Sequence, residues 1–530
     1  MKVCGKLDCS LALLRAISFA QSATELQELV APQLLDLSSD GLRVWYKLGQ
    51  NWWEVDTGPS SRPKRVDNHQ GANIGKPPQV QGTPRLSSPS RSPDGKRIAY
   101  LDAQKPYGPL LLFCLYGEQH ENSKPRPVSQ TPILAFQWAR DSKSLWVIAA
   151  NGTDEPVGRV NLDGRFEQVS QGPAARRIGG LAASNDVVAW VQSDGSHFGT
   201  IWIRDRTGKS RMLVDPNPQT AKWSLAWTQE VVRWKNGHGE ELQGILAKPA
   251  GNRRLPLLVD PYSSWRNRFL NIPVLGNYLF TKAGFAIFFP DHRAPFTFPE
   301  MAFGEAYVGA SKDRDPVDVL TDDVMTGIAD LVRRGIADPE QLFLYSSSNG
   351  ASAIDQLLTQ TRAFRAAVSH GGVSNWLGYY QMRHALGDET IPGFLGGKVP
   401  EDSLELYHRI SPLYQVDKIT TPMLLVIGEK DTRYHDTMQF YEALRRIGRP
   451  VSLVAYPGEG HEISSAALAE QHVRKALEFF RSTETSTLDV SHRGTGSASY
   501  ALPWTQAGHH HPVTCPRFSL PTVTETLGLL

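Results

Sequence analysis

The segment Leu342–Ala351 reads Leu-Phe-Leu-Tyr-Ser-Ser-Ser-Asn-Gly-Ala. Its first four residues predict a buried strand, and the pattern from Gly350 onward predicts a helix with one apolar face. A strand that enters a helix through small residues is typical of a sharp turn that exposes one side chain above a sheet. The residues two before and two after that side chain must be small. Only Ser348, between Ser346 and Gly350, meets this condition.

Two residues further along the chain complete a catalytic pattern. Asp431 follows a predicted buried strand and lies 83 residues after Ser348, and His461 follows the next strand, 30 residues after Asp431. Catalytic groups of such sheets collect at the carboxyl ends of the strands, and the order Ser, Asp, His is that of α/β-hydrolases. We therefore predict a triad in which His461 is the base of Ser348 and Asp431 orients the imidazole. The backbone N–H of Asn349 is the predicted oxyanion donor.

The chain around these residues predicts a two-domain protein. Strand and helix patterns alternate from residue 229 to 484, which indicates a mostly parallel sheet covered by helices, the α/β-hydrolase fold. Residues 30–228 instead show short strands rich in aromatic and β-branched residues, with no sustained helical period. This N-terminal region is predicted to be all-β.

A repeat in the all-β region favours a β-propeller. Four turn residues are each followed, five or six positions later, by an aromatic residue in a strand, and they lie 54, 47 and 44 residues apart: Asp40, Asp94, Asp141 and Asn185. A four-stranded propeller blade takes roughly 40–50 residues. The region therefore predicts a short or partial propeller of four or five blades, with a generic β-sandwich as the alternative.

Composition excludes several other classes of protein. The 530 residues carry 56 Lys and Arg against 54 Asp and Glu, a net charge of +2, so no nucleic acid or acidic membrane surface is expected as a partner. The longest apolar runs are far shorter than the ~18 residues of a membrane span. The four cysteines are not spaced as metal ligands. We expect no metal and no cofactor, and the oligomeric state is not indicated.

The two ends of the chain resemble neither domain. Residues 1–29 contain a weak signal-peptide pattern, but Asp8 and Arg15 flank an apolar run of only four residues, Leu11–Leu14. A cytoplasmic location is therefore favoured over a secreted or periplasmic one, for which the apolar run would be ~7–15 residues long. Residues 485–530 are rich in Ser, Thr, Gly, Pro and His without periodicity, and they predict a disordered tail.

From about Trp223 to Arg481 the sequence resembles the prolyl oligopeptidase family of serine peptidases, and most closely its acylaminoacyl-peptidase-type members. The resemblance is carried, in chain order, by short motifs across the whole predicted hydrolase domain: Pro256–Tyr262, Pro290–Arg293, Gly335–Pro339, the serine turn, Ser411–Leu413, Gly428–Asp431 and Tyr456–His461. It implies a peptidase that cleaves peptide or acyl-peptide bonds of short peptides, with a propeller that keeps large proteins out. It also implies that the Tyr262 hydroxyl is an oxyanion donor.

Several departures from the family pattern bear on activity. The family usually has Tyr-Gly-Gly where this chain has Tyr262-Ser263-Ser264, and it has Gly where this chain has Ser346. Each departure places a bulkier residue where backbones run close. These departures leave a second interpretation beside the peptidase, namely a weakly active or inactive hydrolase-fold binding protein. A carboxylesterase with the same triad is the other alternative, since acyl transfer to water does not require an amide.

Three aromatic residues are candidates for the acyl-side substrate pocket. Trp376, Tyr379 and Tyr380 follow a predicted strand and a Gly371-Gly372 turn, which places them near the serine edge of the sheet. Ordinary core packing is the competing interpretation of all three.

Overall fold

The structure is a computed structural model that describes most residues between 32 and 485. The longer stretches outside the description are 68–89, 104–109, 117–125, 263–274, 294–313 and 386–390, and the shorter ones are 49, 130, 152, 173, 175, 177–179, 185, 224–226, 252, 393–394 and 396. The predicted N-terminal segment (1–29) and Asn185 lie outside the described residues, as does the predicted tail (485–530) apart from Thr485. Residues up to Glu484 cluster into one compact unit, within which the domain boundary near residue 228 stays a prediction.

The described residues of the N-terminal region fold into four antiparallel sheets of four strands each. The first sheet holds β1 to β4, the second β5 to β8, the third β9 to β12 and the fourth β13 to β16. The strands are Gln33–Leu37, Arg43–Leu48, Asn51–Asp56, Lys64–Val66, Ser90–Arg91, Arg97–Ala103, Leu110–Tyr116, Arg126–Pro127, Ile133–Trp138, Ser144–Ala149, Val157–Asn161, Phe166–Gln168, Leu181–Ser184, Val187–Gln192, Thr200–Arg204 and Ser210–Val214.

The repeated turn acids stabilise equivalent turns in three of these sheets. The carboxylate of Asp40 accepts the N–H of the residue two positions later at 3.0 Å, and Asp94 and Asp141 do the same at 3.1 and 2.9 Å. Such a side chain closes a tight reversal between two strands, which is why an acid recurs at this point of the sequence. The all-β character of the region is therefore present in the structure.

The sheets stack through their apolar faces in an order that differs from chain order. Leu101 of the second sheet shares a buried cluster with Val147 of the third. Trp146 of the third shares another with Trp190 of the fourth. The first sheet packs against the fourth, because Val44 lies in one cluster with the fourth sheet's residues, such as Ile201. The Ser184 hydroxyl also donates to the Ser39 carbonyl at 2.9 Å.

The rest of the described chain builds one eight-stranded sheet, in the order β17-β18-β20-β19-β21-β22-β23-β24. The pairs β17–β18 and β18–β20 are antiparallel and the others parallel. Both faces are buried, which explains the continuous apolar runs of the strands. The strands are Thr228–Lys235, Glu241–Lys248, Leu255–Val259, Ala286–Pro290, Ala337–Ser347, Ala366–His370, Met423–Gly428 and Val451–Tyr456.

Helices follow the strands as predicted. They are α1 Gln219–Trp223, α2 Leu275–Lys282, α3 Pro316–Arg333, α4 Ser348–Leu357, α5 Trp376–Ala385, α6 Pro400–Arg409, α7 Tyr434–Arg446 and α8 Ala466–Thr485, with a 3₁₀ helix at Pro412–Lys418. Helix α3 begins at Pro316, because the Asp315 carboxylate accepts the Val317 N–H at 2.8 Å and caps the helix. Among the described helices, none is long and apolar enough to cross a membrane.

Helix α8 places a histidine in the core near the carboxyl ends of β21, β22 and β24. The His472 ring lies 5.2 Å from that of His370, and it also contacts Tyr345 and Tyr456. Burial, reinforced by the neighbouring His370, lowers the pKa of His472 to about 3. Between pH 6.5 and 3, His472 is therefore protonated in the unfolded chain but not in the folded chain. As a result, the free energy of unfolding falls as pH falls.

We therefore expect His472→Phe, which keeps the ring shape, to flatten the loss of thermal stability between pH 6.5 and 4. The reason is that a single buried histidine contributes up to about 1.4 kcal/mol per pH unit in this range. Thermal unfolding measured across this range checks the result, with exposed His435→Gln as the control that should leave the slope unchanged. A His472→Phe slope equal to that of the wild type would contradict the prediction.

Candidate active site

The turn between β21 and α4 presents Ser348 at the carboxyl edge of the sheet. Ser348 has a φ of +57°, the left-handed region that non-glycine residues rarely occupy. The residue before it, Ser347, is fully extended with a φ of −126°, so the chain reverses direction within one residue. Such strain is found where the surrounding structure imposes it, typically at functional sites. This is the backbone geometry expected of a nucleophile turn.

The structure brings the three residues of the predicted triad together. Ser348 Oγ lies 2.9 Å from His461 Nε2, and His461 Nδ1 lies 2.7 Å from Asp431 Oδ2. The two ring nitrogens thus face one partner each. With Nδ1 protonated toward the carboxylate, Nε2 is free to accept the Ser348 proton.

The loops that carry the acid and the base are joined through their backbones. The Lys430 N–H donates to the Glu459 carbonyl at 2.9 Å. A Cβ added at Gly428 would lie 2.1 Å from the Gly460 carbonyl oxygen, so only glycine allows this approach. These contacts fix Asp431 and His461 relative to each other, independently of the serine turn.

The Asp431 carboxylate is held in its ionised form. Burial by itself would raise its pKa, but the hydrogen bonds from His461 and from the Arg433 N–H, together with the positive charge of Arg433, bring the pKa below its ordinary value. Asp431 therefore stays charged at neutral pH. Among the described residues, no cluster of three or more His, Cys, Asp or Glu side chains could hold a metal ion.

The two predicted oxyanion residues lie on neighbouring segments, Tyr262 after β19 and Asn349 in the first turn of α4. Asn349, the first residue after the serine, is buried at the start of α4. Tyr262 follows β19, and the Cβ atoms of Tyr262 and of a residue at position 350 would be only 2.8 Å apart, so Tyr262 packs directly on the serine turn. Ser263 and Ser264, where the family pattern has glycines, lie outside the described residues.

The three predicted pocket residues occupy different environments on α5. Trp376 and Tyr380 are only 3% and 5% exposed and belong to the core beneath the helix. Tyr379 alone is half-buried, and its hydroxyl accepts a hydrogen bond from Arg433 Nη2 at 3.3 Å. The competing interpretation as core residues thus fits Trp376 and Tyr380, whereas Tyr379 lies at the border of the same helix face and is only partly buried against the core.

Arg433 is a residue of the site that the sequence reasoning missed. Its Nη1 donates to Ser348 Oγ at 3.2 Å and to the Gly371 carbonyl at 2.7 Å, and its guanidinium lies 5.2 Å from the Tyr379 ring centre. The signal was its position two residues after the acid, where its N–H donates to Asp431 Oδ1 at 2.9 Å. This hydrogen bond closes the turn from Asp431 to Arg433, and the turn directs the Arg433 side chain toward Ser348.

The strand order, together with a strained serine beside a histidine at the carboxyl edge, defines an α/β-hydrolase fold. Residues 275–486 match the sequence model of the prolyl oligopeptidase family. This match confirms, over residues 275–486, the resemblance to the prolyl oligopeptidase family that was read from the residues.

Two curated relatives illustrate how far the similarity extends. The chain is 22% identical over 355 residues to the uncharacterized peptidase YuxL of Bacillus subtilis, which covers 65% of the chain and 52% of that protein. It is 22% identical over 448 residues to the acylamino-acid-releasing enzyme of Homo sapiens, covering 75% of the chain and 58% of that protein. The chain spans about half the length of these curated relatives.

Solved structures share the fold across most of the chain. A puromycin-hydrolyzing peptidase of Mycobacterium tuberculosis superposes with a TM-score of 0.58 at 19% identity, over 86% of this chain and 79% of that one. The uncomplexed acylaminoacyl peptidase of Pyrococcus horikoshii gives a TM-score of 0.61 at 15% identity, over 85% and 88% of the two chains. At such identities this is a likeness of fold.

Proposed function

We propose that this protein is a serine peptidase that hydrolyses peptide or acyl-peptide bonds of short peptides through an acyl-enzyme on Ser348. The observation that carries the proposal is the continuous hydrogen-bonded chain from Ser348 through His461 to Asp431, with distances of 2.9 and 2.7 Å. The family match of residues 275–486 supports peptides as the substrate class.

The proposed reaction has two steps. His461 Nε2 takes the Ser348 proton while Oγ attacks the carbonyl carbon, and the same proton then passes to the leaving amine as the C–N bond breaks. Water next attacks the acyl-enzyme, again giving its proton to His461, and Ser348 is regenerated. Asp431 stabilises the imidazolium in both steps and is not itself protonated.

The developing oxyanion needs donors that are in place beforehand. The Asn349 N–H is one by its position directly after the nucleophile, and we propose the Tyr262 hydroxyl as the second. The contact of Tyr262 with the serine turn supports this assignment.

We further propose that the four N-terminal sheets are blades of a partial propeller that restricts access to short peptides. What supports this is a cavity of about 540 Å³ lined by equivalent turns of all four sheets, among them Asp40, Pro93, Arg140 and Asp186. Turns that converge on one cavity are expected when blades are arranged around an axis. A generic sandwich would place them along two edges instead.

A fluorophosphonate probe tests the proposed activity most directly, because it reacts only with an activated serine. We expect labelling of the intact protein at Ser348, identified by peptide mass spectrometry, and turnover of acylated or free peptide p-nitroanilides. Turnover of p-nitrophenyl esters without any anilide hydrolysis would favour the carboxylesterase. No labelling of the folded protein would favour the inactive binding protein.

We expect Arg433→Met to lower kcat/KM for peptide substrates by about 10- to 100-fold, since a hydrogen bond from a charged group contributes roughly 1.5–3 kcal/mol. Its guanidinium donates a hydrogen bond to Ser348 Oγ. From this position it can also donate to a main-chain carbonyl of a bound peptide. Steady-state kinetics with a p-nitroanilide checks the result.

Lys430→Met provides the matched control for Arg433→Met. It removes a cation from the same loop, but Lys430 is exposed, so its loss should change kcat/KM less than about threefold. Equal effects of the two substitutions would show that only the net charge matters and would contradict a direct role of Arg433.

A further inference from the structure

We propose that Asp260 and Ser346 form a positioning bridge that holds the Tyr262 loop against the nucleophile turn and so keeps the two oxyanion donors aligned. The inference rests on the proposed hydrolytic function and deepens it. Neither residue reaches the reacting atoms; each acts through a neighbour, Asp260 through Tyr262 and Ser346 through the turn that carries Asn349.

The bridge is a buried hydrogen bond between two different strand ends. Ser346 Oγ donates to Asp260 Oδ1 at 2.5 Å, and both residues are nearly inaccessible, at 1% and 5% exposure. The same carboxylate oxygen accepts the Tyr262 N–H at 3.2 Å. One oxygen atom therefore joins the strand end before Tyr262 to the strand end before Ser348. Hydrogen bonds to an ionised acceptor are roughly twice as strong as neutral ones.

Packing around Gly350 shows that the bridge and the site share one contact region. A Cβ added at Gly350 would lie 2.0 Å from Ser346 Oγ and 2.8 Å from the Tyr262 Cβ. The Ser346 hydroxyl, the Tyr262 side chain and the first turn of α4 thus touch at a single point. Removing the hydroxyl frees space between them and lets Tyr262 shift relative to the Asn349 N–H.

The other side of the same loop is held by a second buried contact. His292 Nε2 donates to the Pro261 carbonyl at 2.8 Å, and His292 is 1% exposed. Burial lowers the pKa of His292 to about 4, although the Pro261 carbonyl opposes the shift, so at neutral pH the ring is neutral and the Nε2 proton serves this bond. The segment around Pro261 is therefore hydrogen-bonded to His292, just after β20, on one side and to Ser346 of β21 on the other.

This arrangement suits a chain that lacks the glycine expected at position 346. A glycine there would remove the hydroxyl that donates a hydrogen bond to the Asp260 carboxylate. The loss of a donor to a buried carboxylate destabilises the folded state. Ser346 and Asp260 thus depend on each other. Because the bridge sets the geometry of donors used mainly in the transition state, its loss should lower kcat more than it raises KM.

The test is a double-mutant cycle of Ser346→Ala and Asp260→Ala in the full chain, followed by steady-state kinetics on a peptide p-nitroanilide. We expect each single variant to lose about 10- to 100-fold in kcat with KM within about threefold, and the double variant to lose no more than the worse single one. The bridge would be overturned if the kcat losses of the two single variants multiplied in the double variant. It would also be overturned if Ser346→Ala folded and kept an unchanged kcat. Ser347→Ala is the matched control and should change kcat less than about threefold.

Folding and the proposed function are separated by two further measurements. Asp260→Asn keeps the side-chain volume and both acceptor contacts but removes the charge, so it is the variant to use if Ser346→Ala fails to fold. Its kcat should fall at least about threefold at unchanged KM, and an unchanged kcat overturns the bridge. Fluorophosphonate labelling of the wild type isolates the proposed function. If the wild type is labelled but Ser346→Ala has an unchanged kcat, only the bridge is contradicted. If the folded wild type is not labelled, the hydrolytic function itself is contradicted.

Discussion

Replacing Ser348 by alanine is expected to lower kcat by about 10⁶-fold, to the level left by the oxyanion donors and substrate binding. The hydroxyl is the only group of the proposed mechanism that forms a covalent bond with the substrate. Alanine keeps the Cβ at a φ of +57°, so the backbone strain of the turn is unchanged. We therefore expect the melting temperature to move by only a few degrees. Single-turnover kinetics and thermal unfolding check the two expectations.

Two neighbouring variants make this result specific to Ser348. Ser347→Ala removes a hydroxyl at the preceding residue, which has an extended backbone, and should keep turnover within about threefold of the wild type. Ser348→Gly should be as inactive as Ser348→Ala yet more stable by roughly 1 kcal/mol, because glycine occupies positive φ without strain. Turnover by Ser348→Ala above a hundredth of the wild-type rate would exclude Ser348 as the nucleophile.

Asp431→Asn is expected to lower kcat by about 10⁴-fold while the protein stays folded. The amide can still accept the Arg433 N–H, but its NH₂ group faces His461 Nδ1 in place of a carboxylate oxygen, 2.7 Å away in the wild type. The ring then carries its proton on Nε2 and can no longer accept the Ser348 proton. The imidazolium that forms during the reaction also loses its counter-charge.

Glu429→Gln controls for the loss of an acid on the same loop. Glu429 is exposed two residues before Asp431, and its neutralisation should leave kcat within about threefold of the wild type. Fluorophosphonate labelling rates measured alongside turnover show whether Asp431→Asn acts on the reactivity of Ser348. An Asp431→Asn variant that labels and turns over at more than a tenth of the wild-type rate would contradict the orienting role.

The choice of Ser348 among three serines was open to sequence reasoning because it depends on local sterics. The rule that the residues two before and two after a nucleophile must be small singled out Ser346 and Gly350 as flanks. The structure shows why serine is tolerated on one side only: the Ser346 hydroxyl turns toward Asp260 and fills the space that a Cβ at Gly350 would need. Glycine is then required at position 350.

Features that depend on long-range packing were not open to the same reasoning. Arg433 reaches Ser348 only because β21 and β23 flank β22 in the sheet and end at the same edge, although the two residues are 85 positions apart in the chain. The environments of Trp376 and Tyr380 depend on which face of α5 meets the core. The bridge between Asp260 and Ser346 joins strands 86 residues apart. In each case the residue types were visible in the sequence, but the partner was not.

The packing of the first N-terminal sheet on the fourth has a consequence for synthesis of the chain. Ser39 and Ser184 meet although they are 145 positions apart. At about 5–20 residues per second, the ribosome needs roughly 7–30 s to produce the partner of the first sheet. Until then Val44, Tyr46 and Val55, all buried in the finished molecule, have no surface to cover them. The nascent chain therefore passes through an interval in which this apolar face is uncovered, and uncovered apolar surface makes a folding chain prone to aggregate.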